Sequence, residues 1–165
     1  MAEKIKIRPA GIADLSVISA LYRVLMSEMS ALQPEIWRPR EMSRSFICEM
    51  MMGERSKILL AEDEQRHIVG FAVVQDRDTL PLGNTKKRFC LLLDIVVAPA
   101  RRGEGIGSAL ISASERWAVE RGLGWIELNV LEENKDAYRL YESLGMTPAQ
   151  HTMRKMLNAS AHPPM

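Results

Sequence analysis

The chain has 165 residues, 47% hydrophobic and 26% charged, the balance of a globular domain long enough to bury roughly two thirds of its unfolded surface. Twenty-two basic residues against twenty-one acidic ones leave a net charge of +1, which argues against a dominant nucleic-acid or polyanion surface. Cys48 and Cys90 are too few for a disulfide framework, and neither has a CxxC partner. His67, His151 and His162 form no HxxH or HExxH pair, so no metal is expected.

The opening MAEKIKIRPAG carries charges where a signal peptide has an apolar run. No window approaches the eighteen or more apolar residues of a membrane span. A reducing cytoplasm is the expected location, and neither nucleic acid nor a membrane is an expected partner.

Lys4 to Arg8 alternates as a first strand closed by Pro9, and Asp14 is placed to cap a helix with its stripe at Leu15, Ile18, Leu21, Tyr22, Leu25 and Met29. Residues 33–39 break it, and a weaker helix follows over about 40–52, ended by Gly53. Residues 57–62 and 67–75 are apolar runs joined by a polar hairpin connection. Residues 76–88 read as a charged loop, and 89–97 as the most apolar strand, hence a central one. A glycine-rich turn leads to a helix with its stripe at Ile106, Ala109, Leu110, Ala113 and Trp117, stopped by Gly122. Residues 125–131 read as a strand, 134–144 as a helix and 151–157 as a last strand. The expected order is βααβββαβαβ, a single α+β domain over 1–165 with a mixed sheet. Its core spans about 4–157, and the tail 158–165 is expected to fray.

The sharpest signal lies between the central strand and the helix after it. Gly103, Gly105 and Gly107 remove side chains where the backbone turns, letting amides point inward and a ligand approach the main chain. The free amides of a first helical turn favour a phosphate-bearing ligand, and Arg102 adds a charged fork. No lysine stands near the turn, which excludes a Walker A loop. The glycine spacing also fails the dinucleotide fingerprint. The plainer reading is a glycine-rich connector without a ligand.

Arg102-Gly103-Glu104-Gly105-Ile106-Gly107 is similar to the (Gln/Arg)-x-x-Gly-x-(Gly/Ala) signature of the GNAT family of N-acetyltransferases. Asp94-Ile95-Val96-Val97-Ala98-Pro99 resembles that family's fourth strand. Asn134, Ala137, Tyr141 and Leu144-Gly145 resemble its Asn-xx-Ala-xxx-Tyr-xx-Leu-Gly segment, and the opening Ile7-Arg8-Pro9-Ala10 with Asp14 is similar too. The resemblance covers nearly all of residues 4–157. It implies a central mixed, mostly antiparallel sheet with splayed fourth and fifth strands, flanked by about four helices. It also implies acetyl-coenzyme A as cosubstrate. The pantetheine arm would pair with the backbone of Ile95, Val96 and Val97. The pyrophosphate would lie on Arg102, Gly103, Glu104, Gly105, Ile106, Gly107 and Ser108. Asn134 would contact the pantetheine region, and Tyr141 would protonate the departing thiolate. Dimers are common in the family, so a homodimer is possible.

Chemistry supports these roles. A lysine-like amine is almost wholly protonated at neutral pH, so its attack on a thioester gains from a proton acceptor, and the thiolate from a donor such as a phenol. Ala137, Tyr141 and Leu144 share a helix face, which points Tyr141 into the fold; the plainer reading is a core tyrosine with a satisfied hydroxyl. Asp94 interrupts an apolar strand, and burial would raise its pKa and suit it to base work. Its plainer reading is a sheet-end aspartate in solvent or beside an arginine. Glu127 is a second candidate, for which a solvated sheet face is the plainer reading. Trp37 reads as a pocket or loop-anchoring residue, and Lys86-Lys87-Arg88 as an anion contact or a solvated loop. No cysteine or serine stands in a nucleophile motif, so direct transfer to an amine acceptor is expected. The alternatives are a non-catalytic acyl-coenzyme A sensor or partner-binding module, or a transferase using another donor such as succinyl-coenzyme A.

Overall fold

The computed structural model describes residues 4–79 and 88–157. Its elements are β1 (Lys6–Pro9), α1 (Leu15–Leu32), α2 (Arg44–Met52), β2 (Ser56–Glu62), β3 (Ile68–Asp78), β4 (Arg88–Val97), α3 (Ile106–Glu120), β5 (Ile126–Glu127) and α4 (Lys135–Ser143). The strands form one mixed sheet in the order β1-β2-β3-β4-β5, antiparallel as far as β4 and parallel between β4 and β5. This is the α+β architecture the sequence implies.

Side chains alternate across a strand, and here the alternation feeds two cores. Ile58, Leu60, Phe71 and Val73 pack under α1 and α2, while Leu59, Ala61, Ala72 and Val74 pack under α3 and α4. Covering both faces explains why β2, β3 and β4 read as continuous apolar runs. Strand β4 adds a bulge: Val73 opposes Asp94 and Val74 opposes Leu92, leaving Leu93 as the extra residue. A bulge reverses the phase of everything beyond it. Cys90 and Leu92 face the α3 core before it, and Ile95 and Val97 do so after it.

Several local expectations are corrected. Asp14 does not cap α1 with its side chain. Its carboxylate accepts from the Gly11 amide at 2.8 Å and pairs with Arg8 at 2.9 Å, because a charged partner competes successfully for it. Helix α2 starts at Arg44, not near 40, where Ser43 Oγ accepts from the Phe46 amide at 3.2 Å. Strand β3 continues through the expected start of the loop to Asp78. Asp76 is buried there because Arg55, Arg88 and Arg121 converge on its carboxylate. Residues 80–87, including Lys86 and Lys87, and the tail 158–165 lie outside the described residues.

Strand β5 is limited to Ile126–Glu127 in place of 125–131, and 151–157 is not a strand. That last segment alternates, but Met153 and Leu157 are 91% and 84% exposed, and alternation makes a strand only where a neighbour supplies hydrogen bonds. By length and a mean hydropathy of 1.3, Ile12–Leu32 does qualify as a span candidate, contrary to the sequence reading. Its Leu15, Ile18, Leu21, Tyr22 and Met26 are buried against the sheet, the arrangement of a core helix.

Phe71 is fully buried at the centre of β3 and packs at a tilt against Tyr22, ring centroids 4.8 Å apart. Phe71→Ala should therefore lower unfolding stability by about 3–5 kcal/mol, read as a drop in the urea midpoint with the slope unchanged. A loss below about 1 kcal/mol would mean that this face of the core closes around the cavity.

Candidate active site

The turn after β4 is built from a short 3-10 segment, Pro99–Arg101, and two residues with positive φ, Gly103 at 81° and Gly105 at 80°. Nothing lies within 4 Å of a Cβ built on either glycine, so the conformation, not crowding, requires them. Gly105 is the N-cap of α3. The first helical amide to find a carbonyl is that of Ala109, which donates to Gly105 O at 3.0 Å. Among the described residues, the amides of 103–108 have no hydrogen-bond partner. A run of free donors at the positive end of a helix dipole is an anion cradle.

The expected phosphate-binding residues divide by role. The Ile106 side chain is 1% exposed and anchors the turn in the core, leaving its amide to the outside. A Cβ on Gly107 would stand 3.1 Å from Leu140 Cδ2, so this glycine brings α3 against α4. The Glu104 carboxylate is turned onto Arg101, which also reaches Asp63 at 3.0 Å and braces the back of the turn. Ser108 is half-buried beside the free amides. Arg102 donates from Nε to Val97 O at 3.1 Å, and its Nη2 lies 2.8 Å from Glu28 Oε1.

Strand β4 pairs with β3 along its length but with β5 only at Cys90 and Leu91. Beyond Leu91 its second edge, including the part formed by Ile95, Val96 and Val97, borders no strand among the described residues. This is the splay the resemblance implies.

The bulge sets the Asp94 carboxylate on the α1 face, where Tyr22 Oη donates to Oδ2 at 2.8 Å. Tyr22 is itself fully buried, with its ring against Phe71 and Phe46. Burial raises the pKa of Asp94, and the Tyr22 hydrogen bond opposes that rise in part. Burial and the neighbouring carboxylate raise the phenol of Tyr22, so it stays a donor. In the sequence Tyr22 is one residue of the α1 stripe. A tyrosine in a stripe of aliphatics needs a partner for its hydroxyl, and that was the available signal.

Tyr141 packs against the α3 core, so the structure puts Asp94 and Tyr141 on opposite sheet faces and does not pair them. Burial raises the Tyr141 pKa, and among the described residues its hydroxyl makes no hydrogen bond. Asn134 caps α4, its Oδ1 accepting from the Ala137 amide at 3.3 Å, which leaves the side-chain NH₂ to donate elsewhere. Glu127 is exposed and accepts from Trp125 Nε1 at 2.8 Å, in keeping with a solvated face. The Trp37 indole N–H is buried without a partner among the described residues. Across the open end, Gln33 donates to Glu133 at 2.9 Å and accepts from Arg154 at 3.1 Å, bordering a groove of about 350 Å³. Among the described residues no three or more His, Cys, Asp or Glu side chains gather as metal ligands.

The raised pKa of Asp94 sets a sign for stability. The folded chain keeps this proton to higher pH than the unfolded chain. The contribution to stability is present below the ordinary aspartate range and is lost as pH rises through the folded value. Asp94→Asn should therefore melt above the wild type near neutral pH, and that advantage should fade toward about pH 4. A variant that melts lower at neutral pH would show that the ionised carboxylate is stabilised where it stands.

Comparison with known proteins agrees with this geometry. Among solved structures, a mutant of the BH1408 protein from Bacillus halodurans superposes with a TM-score of 0.87 at 27% identity, covering 93% of this chain and 99% of that one. The aminoglycoside N-acetyltransferase AAC(6')-Iy, solved in complex with CoA, gives 0.73 at 18% identity over 96% and 98%, a likeness of fold alone. Thialysine N-epsilon-acetyltransferase from Bos taurus is 43% identical over 60 residues, 36% of this chain and 35% of that protein. Mycothiol acetyltransferase from Nocardiopsis dassonvillei is 47% identical over 49 residues, 30% and 15% of the two. The chain thus spans about a third or less of the first curated relatives it matches. The model of the Acetyltransferase (GNAT) family matches residues 18–146, and the chain belongs to that family.

Proposed function

We propose that this chain moves an acetyl group directly from acetyl-coenzyme A to a primary amine of a small molecule or a peptide. The observation that carries the reading is the row of unpartnered amides at 103–108, set beside the unpaired edge of β4. Free donors at the turn suit a pyrophosphate, and the backbone of Ile95, Val96 and Val97 suits the amides of a pantetheine arm. The Asn134 NH₂ adds a donor on the far side of the gap.

The two faces of the sheet divide the chemistry. Asp94, with its raised pKa, accepts the proton that the attacking amine loses as the C–N bond forms. Tyr141 remains protonated at neutral pH and donates to the sulfur as the C–S bond breaks. A base on the α1 face and a donor on the α3 face suit attack and departure on opposite sides of one carbonyl. The names of the thialysine and mycothiol relatives, and of the aminoglycoside enzyme, support a small amine as the first acceptor to assay.

Binding is the direct test of the turn. Acetyl-coenzyme A should raise the melting temperature by mass action, and Gly105→Gln should abolish the shift, since a side chain at φ 80° strains the turn and covers the amides. A folded Gly105→Gln protein with undiminished affinity would rule the pyrophosphate assignment out.

The Tyr141 hydroxyl separates a catalyst from an acyl-coenzyme A sensor, which has no use for it. Tyr141→Phe keeps the ring in its contact with the core, so coenzyme affinity should barely change. The kcat should fall by about a hundredfold or more, less for a donor whose leaving thiol has a lower pKa. Nearly full kcat with a slow acceptor, chemistry limiting, would return Tyr141 to a packing role.

A further inference from the structure

We infer that Glu28 is a positioning residue of the coenzyme site: its pairing with Arg102 holds the guanidinium away from the glycine turn, and coenzyme binding must break that pair. The inference rests on the pyrophosphate reading of the turn given above. Arg102 is the residue from which the turn starts, and its neighbour Arg101 is engaged with Glu104 and Asp63. Arg102 is therefore the guanidinium placed to meet an anion seated on the amides of 103–108. In the structure two of its nitrogens are engaged elsewhere, Nη2 on Glu28 Oε1 at 2.8 Å and Nε on Val97 O at 3.1 Å.

Both contacts lie where a coenzyme would be. Val97 O belongs to the edge of β4 that borders no strand, the edge proposed for the pantetheine arm. Glu28 projects from α1 six residues beyond Tyr22, which is about 9 Å along the helix axis. One helix thus holds both the proposed base, through Tyr22, and the proposed phosphate contact, through Glu28. The Glu28 and Arg102 side chains are 42% and 46% exposed, so water screens the pair and keeps it weak. A weak pair fits a contact that must yield to a ligand. With the guanidinium latched for part of the time, the apparent dissociation constant is the intrinsic one divided by the unlatched fraction. An exposed pair of this kind raises it by about two- to fivefold.

Calorimetric titration with coenzyme A tests the latch in a double-mutant cycle of Glu28→Gln and Arg102→Gln. Glu28→Gln alone should bind coenzyme A about two- to fivefold more tightly than the wild type. Arg102→Gln alone should bind more weakly, and adding Glu28→Gln to it should change nothing further. Melting curves without ligand check that all four proteins are equally folded. An equal gain in both backgrounds would overturn the inference, because the carboxylate would then act by long-range repulsion of the phosphates. So would a Glu28→Gln protein that binds like the wild type. Failure of the wild type to bind coenzyme A at all would instead overturn the coenzyme reading of the turn, and the latch with it.

Discussion

Strand β4 is paired along its whole length with β3 but only at Cys90 and Leu91 with β5, and most of what is particular to this fold follows from that asymmetry. Backbone donors and acceptors inside a protein must be satisfied, and in a sheet the neighbouring strand does it. A strand as apolar as β4, covered by helices on both faces, normally sits between two full neighbours. Here the chain after Glu127 leaves the sheet, and beyond Leu91 that edge borders no strand among the described residues. On that edge the Arg102 guanidinium donates to Val97 O.

The open edge also explains why the turn beyond it can keep its amides free. Positive φ at Gly103 and Gly105 points the start of α3 back toward the end of β4, while Ile106 and Leu110 tie the helix into the core. Ile106 anchors the turn in the core, and the amides of 103–108 have no partner among the described residues. The same division appears at the bulge. Leu93 is the extra residue, and the phase reversal beyond it brings Asp94 beneath Tyr22 while keeping Ile95 and Val97 in the α3 core.

Local pattern in the sequence carried the helices, the first four strands and the glycine turn, because each depends on residues within a turn or two of one another. Features that depend on distant partners were not legible. Asp76 stands in a charged run that reads as loop, and it stays in β3 only because Arg55, Arg88 and Arg121 arrive from three other segments. Residues 151–157 have a strand's alternation but pair with no strand among the described residues. The bulge is invisible in Leu91-Leu92-Leu93-Asp94-Ile95-Val96-Val97, where every phase is apolar except one. For the same reason Tyr22 passed as an ordinary stripe residue, and nothing in the local pattern singled out Glu28. Their roles lie in partners found across the sheet and the turn.

The site is also where the fold departs from its own preferences. A half-buried carboxylate whose pKa desolvation raises is unfavourable for folding alone, and the amides of 103–108 have no partner among the described residues. Both lie toward one end of β4 and are tied to α1 through Tyr22 and Glu28. A structural accident would have no reason to concentrate them. A ligand that brings phosphates to the turn and amides to the edge, and an amine that leaves a proton on Asp94, would relieve each in turn. Under the proposed function such a ligand would stabilise the folded chain by mass action.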